Sequence, residues 1–258
     1  VLYYASLFSK ILNFIDENQC SKTDAMFTYC KSNLYKYLPG NIFHYIGRNQ
    51  IAIIQTVSHG TVIAASIAEI LLMFLAALVI IAAFSGKEAI KWIQSNMLSA
   101  RTIFIIAVVF LCCMLPCLFS CRNKIIKERV EKYKKIINSI GFYKVLRLVV
   151  AYIAIFVLNS VMFFVLLYSM CGELRINLIA PVIGMYTLSW LIGFITPGAP
   201  AGLGIREVIM STLLNGVVSG ELVIAAVLLY RIITIIGDVG GFFIAYSLYH
   251  KQVDDSLI

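Results

Sequence analysis

Apolar runs of bilayer length, separated by charged stretches, constrain this chain more than any motif it carries. A hydrocarbon core roughly 30 Å thick takes about 20 mostly apolar residues per helix. Runs of that order extend from Val57 to Phe84, Thr102 to Phe119, Val145 to Met170, Leu178 to Thr196 and Leu222 to Leu248. With 61% of residues apolar and 13% charged, the composition lies outside that of water-soluble domains. The expected fold is all-α, a polytopic transmembrane helix bundle. The opening piece, Val1 to Phe14, is short and apolar and reads as the tail of a span whose beginning is absent. Residues 1–258 are expected to form a single transmembrane domain.

The net charge of +8 raises the question of nucleic acid, and its distribution answers it. Residues 120–147 hold Arg122, Lys124, Lys127, Arg129, Lys132, Lys134, Lys135, Lys144 and Arg147 against Glu128 and Glu131. A loop this short cannot build a soluble nucleic-acid fold, and the positive-inside bias makes it cytoplasmic. Attraction to anionic headgroups accounts for the cluster, so no nucleic-acid partner is expected. Counting spans outward puts the 15–50 segment and the C-terminus, with Lys251, on that same side. Lys87 and Lys91, on the opposite side, run against the pattern.

Among the cysteines, Cys113, Cys117 and Cys121 share a helix face, yet no His accompanies them at ligand spacing. Thiols pack well as small apolar groups, which makes Cys20, Cys30, Cys112, Cys113, Cys117, Cys121 and Cys171 packing residues. No metal and no cofactor is expected.

Ionisable residues inside the apolar runs are the informative ones, because each costs at least about 2.5 kcal/mol near the bilayer centre and must face protein or water. Glu69, Arg206, Glu207, Arg231 and Asp238 qualify. Arg231 and Asp238 lie two turns apart on one helix face with Thr234 between them. Glu69 adjoins a ridge of small residues, Gly60, Ala64 and Ala68, so it is expected to point inward. An intramembrane polar network of Glu69, Arg231 and Asp238 follows. It either neutralises itself, with Glu69 or Glu207 against Arg231, or lines a hydrophilic path. The sequence leaves both open.

Between Thr196 and Glu207 the chain reads Pro197-Gly198-Ala199-Pro200-Ala201-Gly202-Leu203-Gly204-Ile205-Arg206. Two prolines and three glycines rule out a continuous helix, so a broken or re-entrant helix is expected around 196–204. Irregular backbone at membrane depth survives only inside protein or beside a cavity. A helix resuming near Leu203 offers its N-terminal amides and dipole together with Arg206, a chemistry suited to phosphate or carboxylate. Arg206, Gly202, Gly204 and Glu207 are thus the candidate lipid-headgroup site. A plain helix connection is the competing reading, since Gly and Pro mark any turn.

The stretch FITPGAPAGLGIREVIM, Phe194 to Met210, resembles the PGGLGxRE signature of the integral membrane family that includes the transmembrane region of lysylphosphatidylglycerol synthase. KYLPGNIFHYIGR, Lys36 to Arg48, is similar to that family's KYxPGxxWxxxGR element. SIAEILLMF, Ser66 to Phe74, resembles the place of its Ser and Glu-Arg, and LLYRIITIIGDVGG, Leu228 to Gly241, its final helix. The matches run in order along nearly the whole chain. This sequence departs from the pattern at Ile70, where an Arg commonly follows the Glu, at Phe43, often Trp, and at Asp238, often Pro. Glu69 then has to find its partner elsewhere, in Arg206 or Arg231. The resemblance implies a flippase-like bundle in the cell membrane that handles amphipathic lipids, anionic or polyprenyl-linked, in cell-envelope lipid metabolism. Relatives that stand alone often accompany glycosyltransferases or other envelope enzymes, so a role as non-catalytic membrane partner is the alternative.

Lys36, Tyr37, His44 and Arg48, among Tyr35, Phe43 and Tyr45, have the mix of aromatic and basic groups found at headgroup level. They are expected to be interfacial, as an anchor or as a lipid access site, with Pro39-Gly40 dividing the segment. No catalytic residue is assigned: His59, Glu69 and Glu207 are conceivable bases, but no paired acid and base is visible, and lysyl transfer does not carry over. A small-solute secondary transporter would show two matching broken helices, and one clear break is present.

Overall fold

A computed structural model describes residues 1–15, 20–38, 42–54, 57–95, 141–172, 175–196 and 199–255. These residues are helical or connecting, with no strand among them. In chain order the helices are α1 (Leu2–Ile15), α2 (Lys22–Asn33), α3 (Phe43–Ile54), α4 (His59–Ser95), α5 (Phe142–Cys171), α6 (Ile179–Ile195), α7 (Ile205–Leu213) and α8 (Gly220–Asp255). Short 3₁₀ turns at Leu34–Tyr37, Ile176–Leu178 and Pro200–Gly202 precede or join them. The protein is an all-α polytopic membrane protein. His59–Ser85, Phe142–Cys171, Ile176–Ile195 and Gly220–Gln252 are each long and apolar enough to cross a bilayer. The run Thr102–Phe119 and the basic stretch as far as residue 140 lie outside the described residues, as do Cys112, Cys113, Cys117, Cys121, Pro197 and Gly198.

Contacts group the chain into two compact units. The first is Val1–Met73 with Leu228–Ile258, and the second is Phe74–Val227.

In the first unit α1 packs on α2, and α2 on α3. Helix α2 starts where the Ser21 hydroxyl accepts from the Asp24 amide at 3.1 Å. Asp24 in its first turn and Lys31 in its last both suit the helix dipole. From there α2 tracks α8 in antiparallel register. The Thr23 hydroxyl bonds the Gln252 side chain. Phe27 stacks on Tyr249 at 4.5 Å and meets Tyr246 and Phe242 at 6.2 and 6.3 Å. Lys36 and Tyr37 reach Asp238. Gln252 and Asp238 are 14 residues apart on α8, about 21 Å of helix at 1.5 Å per residue. The Tyr35 ring lies where Gly47 of α3 has no side chain. A Cβ there would stand 2.2 Å from the ring.

In the second unit, α6 packs against both α5 and α7. Rings fill the seam: Phe156 against Trp190 at 4.7 Å, Trp190 against Phe194 at 5.2 Å, and Phe163 against Tyr186 at 5.2 Å. Helix α4 kinks at Ser85, whose backbone leaves helical geometry. The Ser85 hydroxyl donates to the Pro181 carbonyl at 2.9 Å, and Gly184 leaves the room for it. At nine residues, α7 is about 14 Å long, too short to cross a membrane. The 178–214 region therefore holds one helix of spanning length and one short helix.

Candidate functional site

Glu69 in the first unit is 1% exposed, inward as expected. The stripe buried with it is Thr61, Val62, Ala65 and Ser66, one position on from the Gly60-Ala64-Ala68 ridge, whose members are half-buried. Its carboxylate accepts from the Tyr29 hydroxyl at 2.8 Å on one oxygen and from Arg48 Nη1 at 2.6 Å on the other. The partner of Glu69 is thus Arg48, where the sequence pointed to Arg206 or Arg231. Arg48 had been grouped with the interfacial residues, yet it is 1% exposed. A guanidinium tolerates such burial when its charge is matched and its flat faces are covered. Phe8 and Tyr29 supply those faces at 4.3 and 4.2 Å, with Tyr45 at 5.4 Å. One clue was legible: Arg48 is the lone charge in the twelve residues of α3.

Asp238, 7% exposed, forms a second polar centre in this unit. One of its oxygens, Oδ2, receives both Lys36 Nζ at 2.5 Å and the Tyr37 hydroxyl at 2.6 Å. The Lys36 ammonium also lies over the Tyr37 ring at 5.1 Å. Asp238 sits 18 residues from one end of the apolar stretch Gly220–Gln252 and 14 from the other. Lys36 and Tyr37 thus lie against the central part of α8. Helix α2 ends in the 3₁₀ turn Leu34–Tyr37 and α3 starts at Phe43, on either side of the Pro39-Gly40 pair that divides this segment in the sequence. Arg231, on the same helix, is half-buried, and its carbonyl accepts from the Thr234 hydroxyl at 2.8 Å. His44 is 9% exposed and sits against the Tyr45 ring at 3.9 Å.

The helix break belongs to the second unit. Helix α6 stops at Thr196, and the backbone reverses through Ala201 (φ 49°), Gly202 (φ 76°) and Gly204 (φ 82°) before α7 begins. Gly204 is the N-cap of α7 and offers no side-chain acceptor to its first amides. Arg206 is the second residue of α7, and Glu207, 6% exposed, is the third. The Arg206 side chain occupies a slot between two glycines. A Cβ on Gly193 would stand 3.0 Å from its Cγ, and one on Gly202 3.0 Å from its Nε. Gly193, to which no local sequence signal points, thus leaves room for the arginine as Gly202 does. Gly204 differs: a Cβ there meets nothing within 4 Å, so this position needs glycine for its dihedral and not for close approach.

Among the described residues no group of three His, Cys, Asp or Glu is placed to hold a metal ion. Residues 45–239 match the family model described as lysylphosphatidylglycerol synthase TM region. No curated protein and no solved structure matches the chain.

Proposed function

The chain belongs to the lysylphosphatidylglycerol synthase TM region family, and on that premise we propose that it is a flippase-like protein of the cell membrane. It handles a phospholipid or polyprenyl-linked glycolipid with an anionic headgroup in cell-envelope lipid metabolism. The observation that carries this reading is Arg206, whose stem is fixed between Gly193 and Gly202 at the N-terminus of a half-helix. A guanidinium held there combines two parallel donors with the positive end of a helix dipole, which suits a phosphate. Glu207, beside it, either orients the guanidinium or pairs elsewhere in the unit. The match covers a transmembrane region, so lysyl transfer forms no part of the proposal. A small-solute transporter would show two matching broken helices, where the sequence carries one clear break. What favours a lipid is the pairing of a phosphate-type donor set with family membership. A non-catalytic partnership with a glycosyltransferase or other envelope enzyme is compatible with the same headgroup site.

Headgroup-dependent lipid binding and leaflet exchange in reconstituted vesicles test the reading. Arg206→Lys should weaken both partially, since an ammonium is a point charge, and Arg206→Gln should weaken them further. Equal activity in folded Arg206→Gln and wild-type protein would leave Arg206 as a structural residue and end the assignment.

A further inference from the structure

We propose that the 3₁₀ turn Leu34–Tyr37, with His44 of α3, is a second phosphate site, in which Lys36, Tyr37 and His44 are the donors and Asp238 is a built-in competitor for them. It lies wholly in the first unit and shares no residue with the Arg206 turn, so neither assignment depends on the other.

Four observations converge. First, Lys36 Nζ and the Tyr37 hydroxyl both close on the same oxygen, Asp238 Oδ2, at 2.5 and 2.6 Å. Two donors on one anionic oxygen is how a phosphate oxygen is held, with the carboxylate standing in its place. Second, the Lys36 side chain keeps 29% of its surface exposed while that of Asp238 keeps 9%. The ammonium can therefore be approached from outside while the carboxylate stays behind it. Third, His44 is buried, and its Nδ1 has no hydrogen-bond partner. Buried polar atoms are nearly always satisfied, so an orphan beside a cationic turn points to a missing partner. Fourth, the turn is held on the face of α3 that carries His44: Tyr35 packs over Gly47, three residues on from His44 and on the same side of the helix.

Depth explains what such a site does. An anionic headgroup moving between leaflets loses its water near the bilayer centre and needs a charge partner there. Lys36 and Tyr37, beside the middle of α8, would meet it there. Without a ligand, Asp238 neutralises the lysine; with one, the phosphate takes the lysine and tyrosine donors and engages His44. The exchange swaps one charge-assisted contact for another, so the site is neither empty nor locked.

The test is binding by the purified full chain in detergent, titrated with dihexanoyl-phosphatidylglycerol, with dihexanoylglycerol as the phosphate-free control and with inorganic phosphate. Asp238→Asn should raise affinity for the phosphatidylglycerol about tenfold, the scale of one charge-assisted hydrogen bond. The gain should vanish when Lys36→Gln is added, and it should persist in an Arg206→Gln background. Asp24→Asn, which removes the same charge elsewhere in the unit, should give no gain. A parallel gain for inorganic phosphate assigns a general phosphate site, and a gain for the lipid alone assigns a headgroup site. The proposal is overturned by unchanged affinity in folded Asp238→Asn, by a gain that survives Lys36→Gln or is lost with Arg206→Gln, or by an equal gain for dihexanoylglycerol. Should Asp238→Asn fail to fold, Tyr37→Phe keeps the ring and removes one donor. It should weaken phosphatidylglycerol binding severalfold in protein of wild-type thermal stability, and unchanged binding there overturns the site.

Discussion

Arg48 and Glu69 form a charge pair at 2.6 Å with each side chain 2% exposed. The Tyr29 hydroxyl occupies the remaining carboxylate oxygen, and the Tyr29 ring covers one face of the guanidinium. The pair ties α2, α3 and α4 together. Removing either partner strands a buried charge.

Arg48→Ala is therefore expected to lower stability by about 3–5 kcal/mol, the cost of breaking a buried pair from one side. Arg48→Lys should fall between Ala and wild type, because the ammonium keeps the charge and loses the flat stacking on Phe8 and Tyr29. Thermal unfolding in detergent checks both. A wild-type midpoint for Arg48→Ala would mean that Glu69 is neutral or solvated in the native protein.

Three glycines around the helix break should behave differently. Gly193→Ala and Gly202→Ala each place a Cβ 3.0 Å from Arg206, so they should reduce headgroup binding by moving the arginine, and Gly202→Ala adds the backbone strain of φ 76°. Gly204→Ala meets no atom but must hold φ near 82°, a strain of about 1–3 kcal/mol. It should lower the unfolding temperature while leaving more of the binding intact. Identical binding loss at Gly193 and Gly204, at equal stability, would contradict the slot.

Topology is open to a labelling map with a membrane-impermeant thiol reagent. Lys132→Cys, Lys22→Cys and Lys251→Cys should all react from the cytoplasmic side, the first by its basic loop and the other two because α2 and α8 meet at Thr23 and Gln252. Leu38→Cys, beyond the turn, should react slowly from either side if the hairpin enters the membrane. Rapid reaction of Leu38→Cys from the side opposite Lys22→Cys would make the segment a crossing instead.

Cys20 offers a pH test outside the spans. Its thiol is pushed up to about 11, by burial first and by the Asp24 carboxylate second. The neutral thiol then dominates up to pH values well above 9, and the thiolate is the species that alkylates. Iodoacetamide modification of Cys20 should stay slow at pH 8–9 and climb toward pH 11, and Asp24→Asn should shift that rise to lower pH. A plateau reached by pH 9 would show that the site is open to water.

Much of this protein was decided by the sequence alone, because a bilayer leaves few choices. Apolar runs of span length must become helices to satisfy their own amides, so the all-α class and the spanning segments at 59–85, 142–171 and 220–252 could be read directly. The break before Arg206 was equally legible, since proline and glycine act through local backbone chemistry that needs no partner. Pairings were another matter. Which cation meets Glu69, and that Lys36 is carried to the middle of α8, depend on how helices far apart in the chain lie side by side. No local pattern encodes that register. Arg48 looked interfacial because its neighbours in sequence are aromatic and basic, whereas the packing of α1 and α2 closes two rings over it and places Glu69 at its end. Gly193 was silent for the same reason: a glycine in a helix has no stated purpose until the side chain that needs its space, here Arg206, is folded against it. Backbone chemistry is local and therefore written in sequence, while charge matching and close approach are properties of pairs and exist only in the folded chain.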